Sequence, residues 1–160
     1  MQMSNEQGLG EDAQVLRSVA QVFRGFAKLV DAPLRAVGVA YSQVPVLAAL
    51  KDGGALTQAE LVRRSQVEQS SMAQLLARME RDGLIVRTPD PADARSRQVV
   101  LSPVGRKKLP PSRGIMAAAS ARALDGFSAD ECAQLRHWLA RIEANVQRAL
   151  ADDGQAPGQP

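Results

Sequence analysis

The sequence predicts a mainly α-helical chain with one small β-hairpin, an α+β class in which a helix-turn-helix precedes the hairpin and a long amphipathic helix stands at each end. Three observations predict it. A capping box at Thr57 and Glu60 leads into a Met/Leu stripe that Gly83 stops; a β-branched run returns after a Pro- and Asp-rich turn; and apolar residues recur at three- and four-residue steps near both termini.

Thr57 with Glu60 three residues on lets each side chain satisfy an orphan amide at a helix entry, so a short helix is expected through about Arg64. A turn follows around Ser65, Gln66 and Val67. Glu68 to Asp82 then carries Met72, Leu75, Leu76 and Met79, the spacing that buries one face of a second helix, and Gly83 ends it. At about 100° per residue, Ser70, Gln74, Ala77 and Arg81 point away from that stripe, with Ser71 and Arg78 flanking them and Gln69 just before. Short or amide-bearing groups come first and long cations later. That order suits a helix whose first turns enter the major groove of duplex DNA, where side chains must reach base edges and phosphates.

After Gly83, residues 84–88 form an apolar run, residues 89–96 are turn-forming, and residues 97–101 alternate again, which spells a hairpin with a long tip. Arg95 and Arg97 lie at or beside the tip, and Asp93 sits two residues back where a carboxylate can hold a guanidinium. Such arginines match the narrow, electronegative minor groove.

At 160 residues, 45% hydrophobic and 23% charged, the chain has material for one core rather than two ordinary domains. The net charge is only +3, but between Thr57 and Lys108 ten Lys/Arg face six Asp/Glu, so the surplus of positive charge lies where DNA would lie. No apolar run approaches a membrane span and the polar N-terminus lacks a secretory pattern, so a cytoplasmic protein is expected. The expected organisation is a disordered N-terminus at 1–10, an association helix and connection at 11–40, the helix-turn-helix and hairpin at 41–108, linking and C-terminal association helices at 109–150, and a disordered tail at 151–160.

Val15, Leu16, Val19, Val22, Phe23, Phe26 and Val30 make an apolar stripe on a helix of about twenty residues. Near the other end, a second capping box at Ser128 and Glu131 precedes a comparable stripe of Cys132, Leu135, Trp138, Leu139, Ile142, Val146 and Leu150. The stripes predict a homodimer that presents two recognition helices one duplex turn apart. His137 and Cys132, the chain's one histidine and one cysteine, diverge on that helix and fit packing roles rather than a metal site. Neither a phosphate-binding Gly-rich loop nor a nucleophile elbow occurs, so no enzyme and no cofactor is expected.

Four marks in order carry a resemblance: Leu76 to Glu80 leading into Asp82-Gly83-Leu84-Ile85, then Asp93 and Arg95, then Leu101-Ser102-Pro103, then Gly105. Together they resemble the MarR family (multiple-antibiotic-resistance regulators), dimeric winged helix-turn-helix transcription factors. The resemblance implies that Ser70, Ser71, Gln74 and Arg78 face the major groove and that Arg95, supported by Asp93, enters the minor groove. It also implies a homodimeric repressor on a near-palindromic duplex and a small, often aromatic effector between the association helices and the DNA-binding lobe. The alternative is a winged-helix module that docks an acidic protein without reading DNA sequence. Three departures stand out. Gln66 occupies a turn where the family often has glycine, Glu68 at the helix start is expected to cap rather than touch DNA, and Pro110-Pro111 predict a break or kink in the linking helix.

Overall fold

In the computed structural model, which describes residues 3–65, 67–91 and 96–154, the chain runs α1 (Met3–Ala36), a 3-10 turn (Tyr41–Gln43), α2 (Val44–Ala49), β1 (Leu56–Thr57), α3 (Gln58–Ser65), α4 (Gln69–Arg81), β2 (Ile85–Pro89), β3 (Arg97–Leu101), α5 (Pro103–Ala123) and α6 (Ala129–Gly154). This is the predicted helix-turn-helix and wing, with long helices before and after it. The chain divides into two units at Ser120.

The first unit is organised by the α4 stripe. Met72, Leu75, Leu76 and Met79 are all buried, and around them close Leu61 of α3, Val46 and Leu47 of α2, and Leu56, Ile85, Val99 and Leu101 of the sheet. Each such side chain contributes about 2 kcal/mol through the apolar surface it withdraws from water. The helix ends where the sequence predicts. Gly83 adopts a left-handed φ of 72°, its amide donates to the Glu80 carbonyl, and the Leu84 amide donates to the Met79 carbonyl, a Schellman closure that turns the chain at once into β2.

The wing has three strands rather than two. The antiparallel order is β1-β3-β2, with Leu56 opposite Val99, Ile85 opposite Leu101 and Pro89 opposite Arg97. β1 is too short to show any alternation, which is why only its pairing on β3 reveals it. Thr57 therefore ends a strand and caps α3 at the same time.

α5 is locked to the end of β3 by a small polar clamp. The Ser102 hydroxyl donates to the Gly83 carbonyl and accepts from the Gly105 amide, while the Ser102 amide donates to the Leu84 carbonyl. Gly105 passes so close to Leu84 that a Cβ would stand 2.0 Å from the Leu84 carbonyl oxygen. Only glycine fits. Downstream, the break expected at Pro110-Pro111 does not occur, and α5 is one helix from Pro103, rather than from near residue 109, to Ala123. Two missing amide donors weaken the helix there. Burial on both sides holds it: Leu109 packs on the main core, while Ile115, Met116 and Ala119 pack on a second cluster with Val30 and Leu34 of α1.

That cluster also fixes α1, which at 34 residues is longer than the stripe alone suggested. Its stripe divides. Val30 and Leu34 are buried and Phe26 is half-buried, whereas Val15, Leu16, Val19, Val22 and Phe23 are exposed. The helix starts at Met3, so most of the segment expected to be disordered at 1–10 is helical. No proline intervenes before Pro33, so a helix anchored at its far end extends by one backbone hydrogen bond per residue.

In the second unit, Gly126 turns the chain with φ 84° and the predicted capping box forms. The Ser128 amide donates to Glu131 Oε2, and the Glu131 amide donates to Ser128 Oγ. α6 runs on to Gly154, into the tail expected to be disordered at 151–160. None of its described side chains is buried.

The Gly105 contact gives a direct test. Gly105→Ala must push Leu84 and β2 away from α5, and we expect a loss of at least ~2 kcal/mol of unfolding free energy in urea titration, the scale of an overpacked core.

Candidate nucleic-acid interface

The candidate interface comprises three pieces: the entry of α3, the outer face of α4 and the wing. At the entry of α3, Thr57 Oγ1 and the Thr57 amide both donate to Glu60 Oε2, at 2.9 and 2.8 Å, and the Glu60 amide returns a bond to Thr57 Oγ1. The amide bond, then the hydroxyl bond, hold the Glu60 carboxyl below the usual glutamate range, and Arg63 and Arg64 add to the effect. The capping box is thus formed as predicted, and it points α3 so that Leu61 enters the core while Arg63 and Arg64 stay exposed.

On α4, Gln69, Ser70, Ser71, Gln74 and Arg78 are all exposed: Ser70 and Gln74 lie opposite the buried Met/Leu stripe, Ser71 and Arg78 flank them, and Gln69 stands at the helix start. The structure therefore leaves all five predicted residues open to solvent. Glu68 stands at the N-cap, but its side chain makes no capping bond; its backbone carbonyl accepts from the Ser71 and Met72 amides instead. An extended backbone at Glu68 aims the carbonyl along the helix and leaves the carboxylate outside. Gln66 lies outside the described residues.

The wing's base is tied by two bonds. The Asp90 amide donates to the Ser96 carbonyl, and Gln98 Nε2 donates to Asp90 Oδ1. Arg97 opens β3 on the exposed side. Asp93 and Arg95, the predicted tip pair, lie outside the described residues. Arg87 carries no local sequence signal, yet it joins the wing to α4: its Nε stands 3.2 Å from Glu80 Oε2, with the arginine mostly covered. Only the turn at Gly83, which brings β2 back along α4, makes the two neighbours. Gln58, Arg87, Ser96 and Arg97 then line a cleft of about 470 Å³ between the α3 entry and the wing. The exposed Arg97 in its lining suits a phosphate oxygen.

No group of three or more His, Cys, Asp or Glu that could hold a metal occurs among the described residues, and no described helix is long and apolar enough to cross a membrane.

Residues 37–96 match the model of the MarR family. The chain is 31% identical over 131 residues to the transcriptional activatory protein BadR of Rhodopseudomonas palustris, covering 77% of this chain and 71% of the relative. The chain belongs to the MarR family. A second relative, the repressor MdtR of Bacillus subtilis, is 31% identical over 118 residues and 74% of each chain. In fold, the chain is similar to a mutant MarR from E. coli complexed with operator DNA, with a TM-score of 0.75 at 22% identity over 82% of this chain and 95% of that one. The transcriptional regulator SlyA is similar too, with a TM-score of 0.77 at 20% identity over 84% and 95%. Members of the family are transcriptional regulators rather than enzymes.

The depressed Glu60 carboxyl sets a pH dependence. Its folded-state value lies below its unfolded one, so its contribution is full above the ordinary glutamate range and disappears as pH falls through the depressed value. Glu60→Gln can accept the same two bonds but does not titrate. In acid-dependent thermal unfolding, wild type should lose its advantage over Glu60→Gln below the ordinary glutamate range.

Proposed function

We propose that the chain is a homodimeric repressor that binds a near-palindromic duplex, with α4 in the major groove and the wing against the minor groove of each half-site, and that a small aromatic effector releases it. One observation carries the reading: Gln69, Ser70, Ser71 and Gln74 stand exposed in the first turns of a helix whose opposite face is buried in the core. Short hydroxyl and amide side chains on a rigid support are what direct readout of base edges requires. Arg78, later on the same face, and Arg97 on the wing suit the phosphates to either side, and the family resemblance implies that Arg95, supported by Asp93, enters the minor groove. The fold shared with a MarR protein complexed with operator DNA supports this docking. The likeness to MdtR, a named repressor, favours repression, and BadR, a named activatory protein of equal identity, makes activation the outcome to test against it. The protein acts in the cytoplasm, where the DNA is.

Dimerisation is supported by the exposed half of the α1 stripe and by Trp138, Leu139, Val146 and Leu150 on α6, large apolar side chains left in water by a single chain. The effector is supported by a cleft of about 420 Å³ whose lining includes Phe23, Tyr41, Val67, Leu75 and Arg78. Phe23 and Tyr41 lie 6.1 Å apart with rings tilted by 47°, a wall for a third ring, and Arg78 offers a cation to an acidic substituent. An effector paired with Arg78 withdraws that cation from DNA, giving the differential affinity that release needs.

The test is selection of a duplex from a random library by the wild-type protein, followed by fluorescence anisotropy against selected and scrambled duplexes at about 50 and 200 mM salt. Tight binding to the selected duplex, weak binding to the scramble and a steep loss with salt are expected. Gln74→Ala should lower discrimination by about 1–3 kcal/mol at one base position, whereas Arg97→Ala should weaken all duplexes alike. Equal, weak binding to both duplexes would overturn the reading in favour of a module that docks an acidic protein.

A further inference from the structure

Gln43 is buried, at 5% exposure, in the 3-10 turn between α1 and α2. Its two amide atoms are used in opposite directions. Oε1 accepts from the Ala40 amide at 2.8 Å, and Nε2 donates to Asp82 Oδ2 at 3.0 Å, a bond between residues 39 apart in sequence. Asp82 is the C-cap of α4, and its other oxygen faces Arg81. Turning the Gln43 amide over would set its NH2 against a backbone N–H and its oxygen against a carboxylate, so only one orientation is satisfied. The bridge is directional.

The same turn is held from its other side by α1. Tyr41 packs against Phe23 and Phe26 with ring centroids 6.1 and 6.3 Å away, and the turn touches α1, α2 and α4 together. The helix that carries the exposed apolar stripe and the helix that carries the base-reading face thus meet through three residues. In a dimer built on α1, the tilt of α4 relative to α1 decides how far apart the two recognition helices stand.

We propose that Gln43 is a positioning residue: by tying the α1–α2 turn to the C-cap of the recognition helix, it sets the half-site spacing that the dimer reads. The proposal rests on the dimeric DNA-binding reading above. It separates this residue from the groups that touch DNA, because Gln43 is buried and reaches the duplex only through Asp82 and α4.

The test uses the full chain, a duplex selected by wild type, and derivatives with the half-sites one base pair closer or farther apart. Wild type should prefer the selected spacing by about tenfold or more, the scale of one lost hydrogen bond or misplaced base contact. Gln43→Glu opposes two carboxylates and should abolish most of that preference. Asp82→Asn should change little, since asparagine can turn its oxygen toward Gln43. Gln43→Glu with Asp82→Asn restores a donor–acceptor pair in the reverse sense and should bring the preference back to within about twofold of wild type, a recovery that only direct coupling produces. Gln43→Met keeps the volume and removes the bridge, and it substitutes if Gln43→Glu does not fold. Full spacing preference in Gln43→Met, or no recovery in the double variant, overturns the proposal. If wild type selects no duplex, the functional reading fails, and hydrogen exchange at Asp82 and Gly83 of the free protein decides the bridge alone: faster exchange in Gln43→Met supports it and unchanged exchange overturns it.

Discussion

Burial of Met72, Leu75, Leu76 and Met79 is the constraint on which the rest of this structure depends. A helix has only so much circumference, and once four large side chains at this spacing are sealed against α2, α3 and the sheet, every other position on α4 is forced outward. The polar character of Gln69, Ser70, Ser71, Gln74 and Arg78 then becomes a surface held by a core, without the conformational freedom of a loop. Affinity for a rigid partner such as duplex DNA benefits from that, because less side-chain and backbone entropy is lost on binding.

The positions of the other parts follow from how α4 ends. Gly83 supplies the left-handed residue that closes the helix and sends the chain back as β2, so that Arg87 returns to Glu80 and the wing lies beside α4. Ser102 and Gly105 then bring α5 against the same turn, through a hydroxyl that bonds in two directions and a glycine whose missing side chain is needed for the approach. Three elements, α4, β2 and α5, meet at Gly83 and Leu84. Displacing that junction would move the wing and α5 together.

The two long helices of the first unit show how local signals yield to packing. Pro110 and Pro111 are the strongest helix-breaking signal in the chain, and taken locally they predict an interruption; two buried faces, one on either side, outweigh the lost donors. In α1 a single apolar stripe divides, with Val30 and Leu34 inside the chain's own core and the segment from Val15 to Phe23 facing out. Periodicity alone shows that a stripe is apolar and cannot show which part of it the same chain will cover.

The sequence by itself determined the local decisions: both capping boxes, the face of α4 that is buried, the glycine that stops it, the wing strands from Leu84 to Leu101 and the identity of the exposed α4 residues. These are set by interactions within a few residues, where side-chain type and spacing suffice. Tertiary structure alone decided what depends on long-range contact. β1 exists because Leu56 finds Val99, α5 stays whole because Leu109 on one side of the prolines and Ile115, Met116 and Ala119 on the other pack on two clusters, Arg87 matters because β2 returns to Glu80, and Gln43 matters because the fold carries it to Asp82. A hydrogen bond across 39 residues leaves no periodic trace in the chain, since its geometry comes from the packing of elements that each side chain does not itself specify.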